Sequence, residues 1–423
     1  MLISVFIYAF IKLYLILNIY QQAHYQFRFY LKHFLLNQFF YNVFPLIVLL
    51  LGVLQDEFVV VLICSIYLDL FSLFYLISRV KLKFTKRVIR LVVASILCLG
   101  VGFIPYVGPY LLLFMEFSIL PVLCLERYLA ALLNRPYLKK AQKKLKDYQG
   151  TLIGITGSFG KTSMKVLLQQ ALSLTKTSSC TPKSYNTELG ISRYINSISD
   201  LNLYENIVLE FGASHKKDIE HLKRLAPVQV AFVTGIGYMH VETFGSLEAI
   251  IEEKMKLVQG CSVAVLNYDC SYIREYPVDP NIHIISYGLQ YGKYQARNIC
   301  NQEFDLFEDE QLLGHFKTKL IGQHQLLNLT GVLAYAYEQG IPLEILQKGV
   351  QSFQVEKNRL EVKHMNTYTL LDDSFNSNYL GFIEALNVLR NHPNKRILLT
   401  PGMVELGKYK KELLTNLIDY IIY

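Results

Sequence analysis

The 423-residue sequence has no Cys-x-x-Cys pair, and none of its seven cysteines stands at metal-ligand spacing from a histidine. That excludes zinc-ribbon and dithiol redox chemistry, and Cys64, Cys98, Cys124, Cys180, Cys261, Cys270 and Cys300 read as reduced thiols in a cytosol-facing protein. The first residues lack the small-residue cleavage site that ends a signal peptide, so residues 2–20 read as a first spanning or interfacial helix. Acidic residues are missing where basic ones cluster. Residues 79–90 hold six basic and no acidic side chains, and residues 127–150 hold seven against one. Outside these clusters acidic residues outnumber basic ones, so the formal charge of +8 belongs to helix flanks rather than to a nucleic-acid groove.

What the first third has in excess is apolar length. Hydrophobic residues make up 52% of the chain, and they concentrate in runs over 39–54, 58–77, 88–106 and 110–125. With residues 2–20 these give about five spans, or four if 39–54 is too short, with the N-terminus outside. Residues 21–38 suit a surface-lying amphipathic segment. The acidic break at 55–57 and the turn at 105–109 fall on one side, the basic clusters on the other, cytoplasmic side. Asp69 and Glu116 lie inside spans and read as satisfied structural groups, since no transporter-like repeat accompanies them. Residues 138–149 read as a basic helix on the anionic inner leaflet. The expected localisation is therefore the cell membrane, multi-pass, with membrane lipids as partners and the catalytic part in the cytoplasm.

From residue 151 onward the pattern changes. Thr151, Leu152 and Ile153 lead into Gly154, Ile155, Thr156, Gly157, Ser158, Phe159, Gly160, Lys161, Thr162 and Ser163, followed by an apolar helical run. A strand that enters a glycine turn and then a helix aims backbone N–H groups and the positive end of the helix dipole at one point, which suits phosphate. Lys161 adds a mobile cation, and the Thr162 hydroxyl stands where a P-loop side chain ligands Mg²⁺. Ile155 occupies the first glycine position of the common P-loop, which leaves Thr-Gly-x-x-Gly-Lys-Thr; the bland alternative is a turn that happens to carry a lysine.

Further β-rich runs end in polar residues: 207–209 before Glu210, 228–234 before His240, and 262–266 before Asn267 and Asp269, with helical stretches at 217–225 and 247–258 between them. This is the alternation of a parallel α/β sheet, in which ligands sit beyond the carboxyl ends of the strands. Glu210 and His240 are then candidate metal ligands beside Thr162, with a helix cap or a solvated residue as the alternative for each.

The stretches 156–163, 181–190, 209–213 and 240–246 resemble the Mur ligase family, as do Gly322, Gln323 and His324 with Asn328, then 358–361, 372–378 and 403–407. The order is most like the branch that adds D-alanyl-D-alanine to a UDP-N-acetylmuramoyl-tripeptide, and the likeness covers about residues 151–420. The resemblance implies an ATP-dependent amide ligase: the γ-phosphoryl group passes to a substrate carboxylate, and an incoming amine displaces phosphate. It implies ATP contacts from Thr156, Gly157, Gly160, Lys161, Thr162 and Ser163, adenine contact from Asn328, phosphate contact from Arg359, and ribose or base contacts from Asp373 and Asn376. It further implies Mg²⁺ on Thr162, Glu210 and His240, a carbamylated Lys254, catalytic roles for Lys161, His240 and Lys254, and a substrate-side loop carrying Thr181 and Asn186. Lys254 also reads as a solvated lysine on a charged helix face with Glu252, Glu253 and Lys256.

The sequence departs from the family at Gln325 and Tyr379, and membrane helices stand where the family has a UDP-binding domain. The acceptor is then a UDP-muramoyl-peptide or a lipid-linked precursor, and the amine an amino acid or dipeptide. The expected fold class is a multi-span α-helical membrane region followed by an α/β P-loop domain with a parallel sheet and an incomplete Rossmann-like C-terminal domain. The expected divisions are 1–126 transmembrane, 127–150 a basic amphipathic linker, 151–361 the ATP-binding domain and 362–423 the start of a truncated C-terminal domain, and the chain as it stands is expected to bind nucleotide but to ligate poorly. A membrane-bound poly-γ-glutamate-type ligase and a non-catalytic ATP-binding scaffold remain the alternatives.

Overall fold

A computed structural model describes residues 13–14, 16–21, 82–100, 120–356, 359–374, 379–392, 395–400, 402 and 410–422. The chain falls into two compact units, residues 1–135 and 136–423. In the first, helix α1 (Lys86–Gly100) and the start of α2 (Leu120–Lys146) contribute Val88, Leu91, Val122 and Leu123 to a small apolar core with Leu13, Ile16 and Leu17. The buried Glu126 carboxylate accepts from Arg87 Nε at 2.9 Å and from Arg90 at 3.1 Å.

These contacts correct the membrane reading. Among the described residues no helix is long and apolar enough to cross a membrane. Helix α1 has 15 residues, short of the ~20 a span needs. Helix α2 has 27 but carries a basic second half. Val88, Leu91, Val122 and Leu123 pack on one another and on Leu13, Ile16 and Leu17, and two residues of the basic cluster at 79–90 neutralise Glu126. The runs at 39–54 and 58–77, the break at 55–57, Asp69 and Glu116 lie outside the described residues. The fold class with a multi-span membrane region is thereby overturned, and the multi-pass localisation and the exchange of the UDP-binding domain for membrane helices fall with it. Nor does the stretch 138–149 lie free for a leaflet: Ala141, Leu145 and Tyr148 are buried in the core of the second unit, and Lys144 donates to the Ile198 carbonyl.

The second unit is built on a nine-stranded sheet in the order β2-β3-β1-β4-β5-β6-β7-β8-β9. Its elements run β1 (Thr151–Thr156), α3 (Lys161–Leu172), β2 (Ser178–Cys180), α4 (Glu188–Ser197), β3 (Asn206–Glu210), α5 (Asp218–Leu225), β4 (Val230–Val233), α6 (Val241–Phe244), α7 (Leu247–Met255), β5 (Val263–Asn267), α8 (Ser271–Arg274), β6 (His283–Gly288), β7 (Tyr294–Cys300), β8 (Glu303–Glu308), β9 (Gln311–Lys317), α9 (Gln323–Glu338) and α10 (Leu343–Val350). Successive strand residues point to opposite faces, so each central strand feeds two cores. Leu152, Ile207, Leu209, Ala231 and Val233 enter one. Ile153, Ile155, Val208, Val230 and Phe232 enter the other, against α3 and α9.

The sheet is mixed rather than parallel. Strands β1 to β7 pair in parallel, but β7-β8 and β8-β9 are antiparallel. Tight turns enforce this: Asn301, Gln302 and Asp309 adopt positive φ (46°, 67° and 49°), which reverses the chain within two residues. A register shift between Leu306 and Phe307 kinks the outermost pair. Beyond α10 follow a hairpin of β10 (Glu361–His364) and β11 (Thr369–Asp372), then α11 (Tyr379–Arg390) and α12 (Lys410–Ile422). Phe382, Leu386, Leu413 and Leu417 hold these helices together with Tyr238. Residues 395–400 form no strand, and Leu399 is 97% exposed.

Phe232 is fully buried and meets Tyr335 of α9 edge to face, with ring centroids 5.3 Å apart. Replacement Phe232→Ala is expected to cost about 3–5 kcal/mol, measured by urea denaturation.

Candidate functional site

Strand β1 lies between β3 and β4, so the chain leaves it on one side and returns on the other; such a reversal opens a crevice at the strand ends. The residues 157–160 fill that crevice. Gly157 has φ 151°, and a Cβ there would lie 2.2 Å from Thr234 Oγ1, so only glycine lets the turn approach β4. Gly160 (φ 78°) turns the chain into α3, whose first residues are Lys161, Thr162 and Ser163. The turn is pinned from the β4 side: Ser158 N donates to Gly235 O at 2.7 Å, Ser158 Oγ and Gly237 N meet at 3.1 Å, and Thr234 Oγ1 donates to Phe159 O. Thr156, at the end of β1, donates its hydroxyl to Phe211 O at 3.0 Å.

Lys161 Nζ donates to the carbonyls of Gly157 at 2.7 Å and Ser158 at 3.3 Å. Burial lowers its pKa to about 8, with Glu210 opposing and Arg359 reinforcing the shift. Thr162 Oγ1 accepts from Arg359 at 3.0 Å, and Ser163 Oγ accepts from Gln325 at 3.4 Å. The glutamine in the position where the family resemblance has asparagine thus contacts the turn. Asn328 lies against Gly160, and its buried Nδ2 has no hydrogen-bond partner.

Glu210 ends β3, held in register with Ile155 of β1. Its Oε1 accepts from Asn186 Nδ2 and its Oε2 from Lys165, both at 3.2 Å. Thr181 anchors the same loop, its N–H on Val208 O and its hydroxyl accepting from Glu210 N. Lys254 is buried in α7 and donates to Gly157 O at 3.0 Å, so it shares that carbonyl with Lys161. Burial, then the charge of Lys161, holds its pKa well below the usual lysine value. The solvated helix face expected here is divided: Glu253, which accepts from Ile219 N at 2.9 Å, is buried too. His240 follows the 235–237 loop that clasps Ser158 and starts α6 with φ 58°. Asp373 accepts from Leu360 N at 3.1 Å, and burial raises its pKa to about 6. Asn376 lies outside the described residues.

Among the described residues no group of three or more His, Cys, Asp or Glu is arranged to hold a metal ion. Thr162 and Glu210 offer hard oxygen donors, the kind that commonly hold Mg²⁺ together with phosphate oxygens. The residue that sequence reading missed is Lys165. It stands one helical turn after Lys161, and that i, i+4 spacing was the available signal.

His324, in the first turn of α9, has a buried Nδ1, and burial followed by the charge of Arg359 lowers its pKa to about 4. Between pH 6.5 and 4 the unfolded chain takes up a proton on this ring that the folded chain refuses, so acidification costs stability. The variant His324→Asn is expected to gain about 2 kcal/mol relative to the parent over that interval, as read by denaturation at stepped pH.

A family model described as the Mur ligase middle domain matches residues 155–336. A UDP-N-acetylmuramoyl-tripeptide–D-alanyl-D-alanine ligase of Buchnera aphidicola subsp. Baizongia pistaciae is 27% identical over 267 residues, 61% of this chain and 58% of the relative. The protein of that description from Bacillus subtilis is 27% identical over 276 residues, 63% and 59% respectively. The MurF ligase of Thermotoga maritima in complex with ADP superposes with a TM-score of 0.61 at 26% identity, covering 68% of each chain. The chain therefore spans about three fifths of the length of the curated relatives it matches. Over residues 155–336 it has the fold of a Mur ligase middle domain.

Proposed function

We propose that this chain is the nucleotide-activating part of an ATP-dependent amide ligase, which forms a carbon–nitrogen bond through an acyl phosphate. The observation that carries the reading is the crevice at the end of β1, where Lys161, Arg359 and the Glu210 carboxylate surround a glycine turn that opens into a helix. The relatives' descriptions support a UDP-muramoyl-tripeptide as acceptor and D-alanyl-D-alanine as amine, hence a role in making peptidoglycan precursor. In this reading residues 151–361 bind ATP and residues 362–423 begin the domain that presents the amine.

The turn N–H groups and Lys161 bind the phosphates, with Ser163 beside them and Asn328 reaching the base. Arg359 balances charge that spreads over the transferring phosphoryl oxygens. Asp373 and Asn376 approach the ribose or base, and Thr181 and Asn186 form the acceptor-side loop. Thr162, Glu210 and His240 would hold Mg²⁺, which supplies charge neutralisation at the phosphates when bound. The depressed pKa of Lys254 keeps a neutral amine available, the form that takes up CO₂ to become a carbamate.

The expected outcome is binding of Mg-ADP by the purified chain, weakened at least tenfold by Lys161→Ala in titration calorimetry, a change of about 1.4 kcal/mol or more. Release of ADP and phosphate should require both the muramoyl-tripeptide and D-alanyl-D-alanine. Unchanged nucleotide affinity in Lys161→Ala would sink the assignment of the turn.

A further inference from the structure

Lys165 is 1% exposed, yet it is a lysine in the middle of the apolar face that α3 turns to the sheet. A buried ammonium is retained only where its charge and its donors are taken up. Here two groups take them up. One is Glu210 Oε2 at 3.2 Å; the other is the backbone carbonyl of Lys183. The two belong to different parts of the proposed site, since Glu210 closes β3 beside the phosphate turn and Lys183 lies in the loop 181–187.

Much of that loop lies at the surface. Pro182, Lys183 and Thr187 are exposed, and Lys183 is a non-glycine residue at φ 49°, a conformation that survives only when its surroundings fix it. Tyr185 packs against the core beneath Arg193, and the loop's other polar ties lead to the end of β3: Asn186 donates to Glu210 Oε1, Asn186 O accepts from Gly212 N at 2.8 Å, and Thr181 accepts from Glu210 N. A Cβ at Gly212 would lie 2.7 Å from Asn186 Cγ, so loop and strand end are in tight contact.

We infer that Lys165 is a positioning residue that ties the acceptor-side loop to the Glu210 carboxylate, so that the loop's conformation and the metal-binding end of the site are set together. The inference rests on the proposed ligase reading for the meaning of the loop and of Glu210; the tie itself does not. With Lys165 in place, the Glu210 carboxylate stays aimed, and the strained Lys183 peptide keeps its carbonyl turned inward. Without it, the carboxylate loses its only ammonium contact among the described residues, and the loop loses its central anchor.

The test is hydrogen exchange in the peptide covering residues 181–187, with Mg-ADP binding measured at stepped Mg²⁺ concentrations. Lys165→Met is expected to speed exchange there at least tenfold while β4 and β5 stay protected, and to raise the Mg²⁺ concentration needed for half-maximal ADP binding. Lys165→Arg should restore both in part. If Lys165→Met does not fold because Glu210 is left uncompensated, the double variant Lys165→Met with Glu210→Gln removes that charge and should still show the fast loop. Unaltered exchange in 181–187, or an increase shared equally by the whole sheet, would overturn the inference. Failure of the parent protein to bind Mg-ADP would instead count against the ligase reading and leave the loop measurement standing.

Discussion

The burial of one carboxylate organises the candidate site. Glu210 is 1% exposed at the end of a strand, and taking such a group out of water costs several kcal/mol unless cations and donors meet it. The parallel pairing that sets Glu210 beside Ile155 also brings it to the phosphate turn, because the turn begins two residues further along β1. Lys161 and Arg359 feel its charge from one side, while Lys165 and Asn186 bond it from the other. The crevice thus gathers cations around the Glu210 anion, with Glu356 and Asp373 also acting on Arg359, a balance suited to a ligand that brings both phosphate and a divalent metal.

Rigidity around that balance comes from backbone contacts rather than from further charges. The loop after β4 grips Ser158 through Gly235 and Gly237, and Gly157 offers its carbonyl to both Lys161 and Lys254. Burial makes both lysines hold their protons less tightly than free lysine does; Arg359 adds to this at Lys161, and the charge of Lys161 adds to it at Lys254.

The turn, Glu210 and the strand-end loops were legible in the sequence because each signal is local: a strand, glycines and a helix in order, or an apolar run that stops at a polar residue. The sheet's second half was less so. Asn301 and Asp309 are ordinary turn formers, but Gln302 at positive φ carries no such mark, and the two hairpins that make the sheet mixed passed unread. The membrane reading failed for a different reason. An apolar helical face looks alike whether lipid or another helix covers it, and the deciding facts are distant in sequence: Glu126 meets Arg87 and Arg90 across 39 and 36 positions. Lys165 was hidden in the opposite way, as a charge inside a run read as apolar, marked only by its i, i+4 spacing from Lys161.

The kinked outer pair has a bearing on how the molecule behaves in company. Strand β9 forms one edge of the nine-stranded sheet, where Gln347 covers the His315 carbonyl, and a flat edge left bare can template pairing with another chain. The shift at Leu306 bends it, and His315 and Lys317 put charged or polar groups along it, paired to Asp305 and Glu303. Residues with no part in nucleotide chemistry thereby guard against aggregation through that margin, and trimming those charges for crystallisation would expose an adhesive strand.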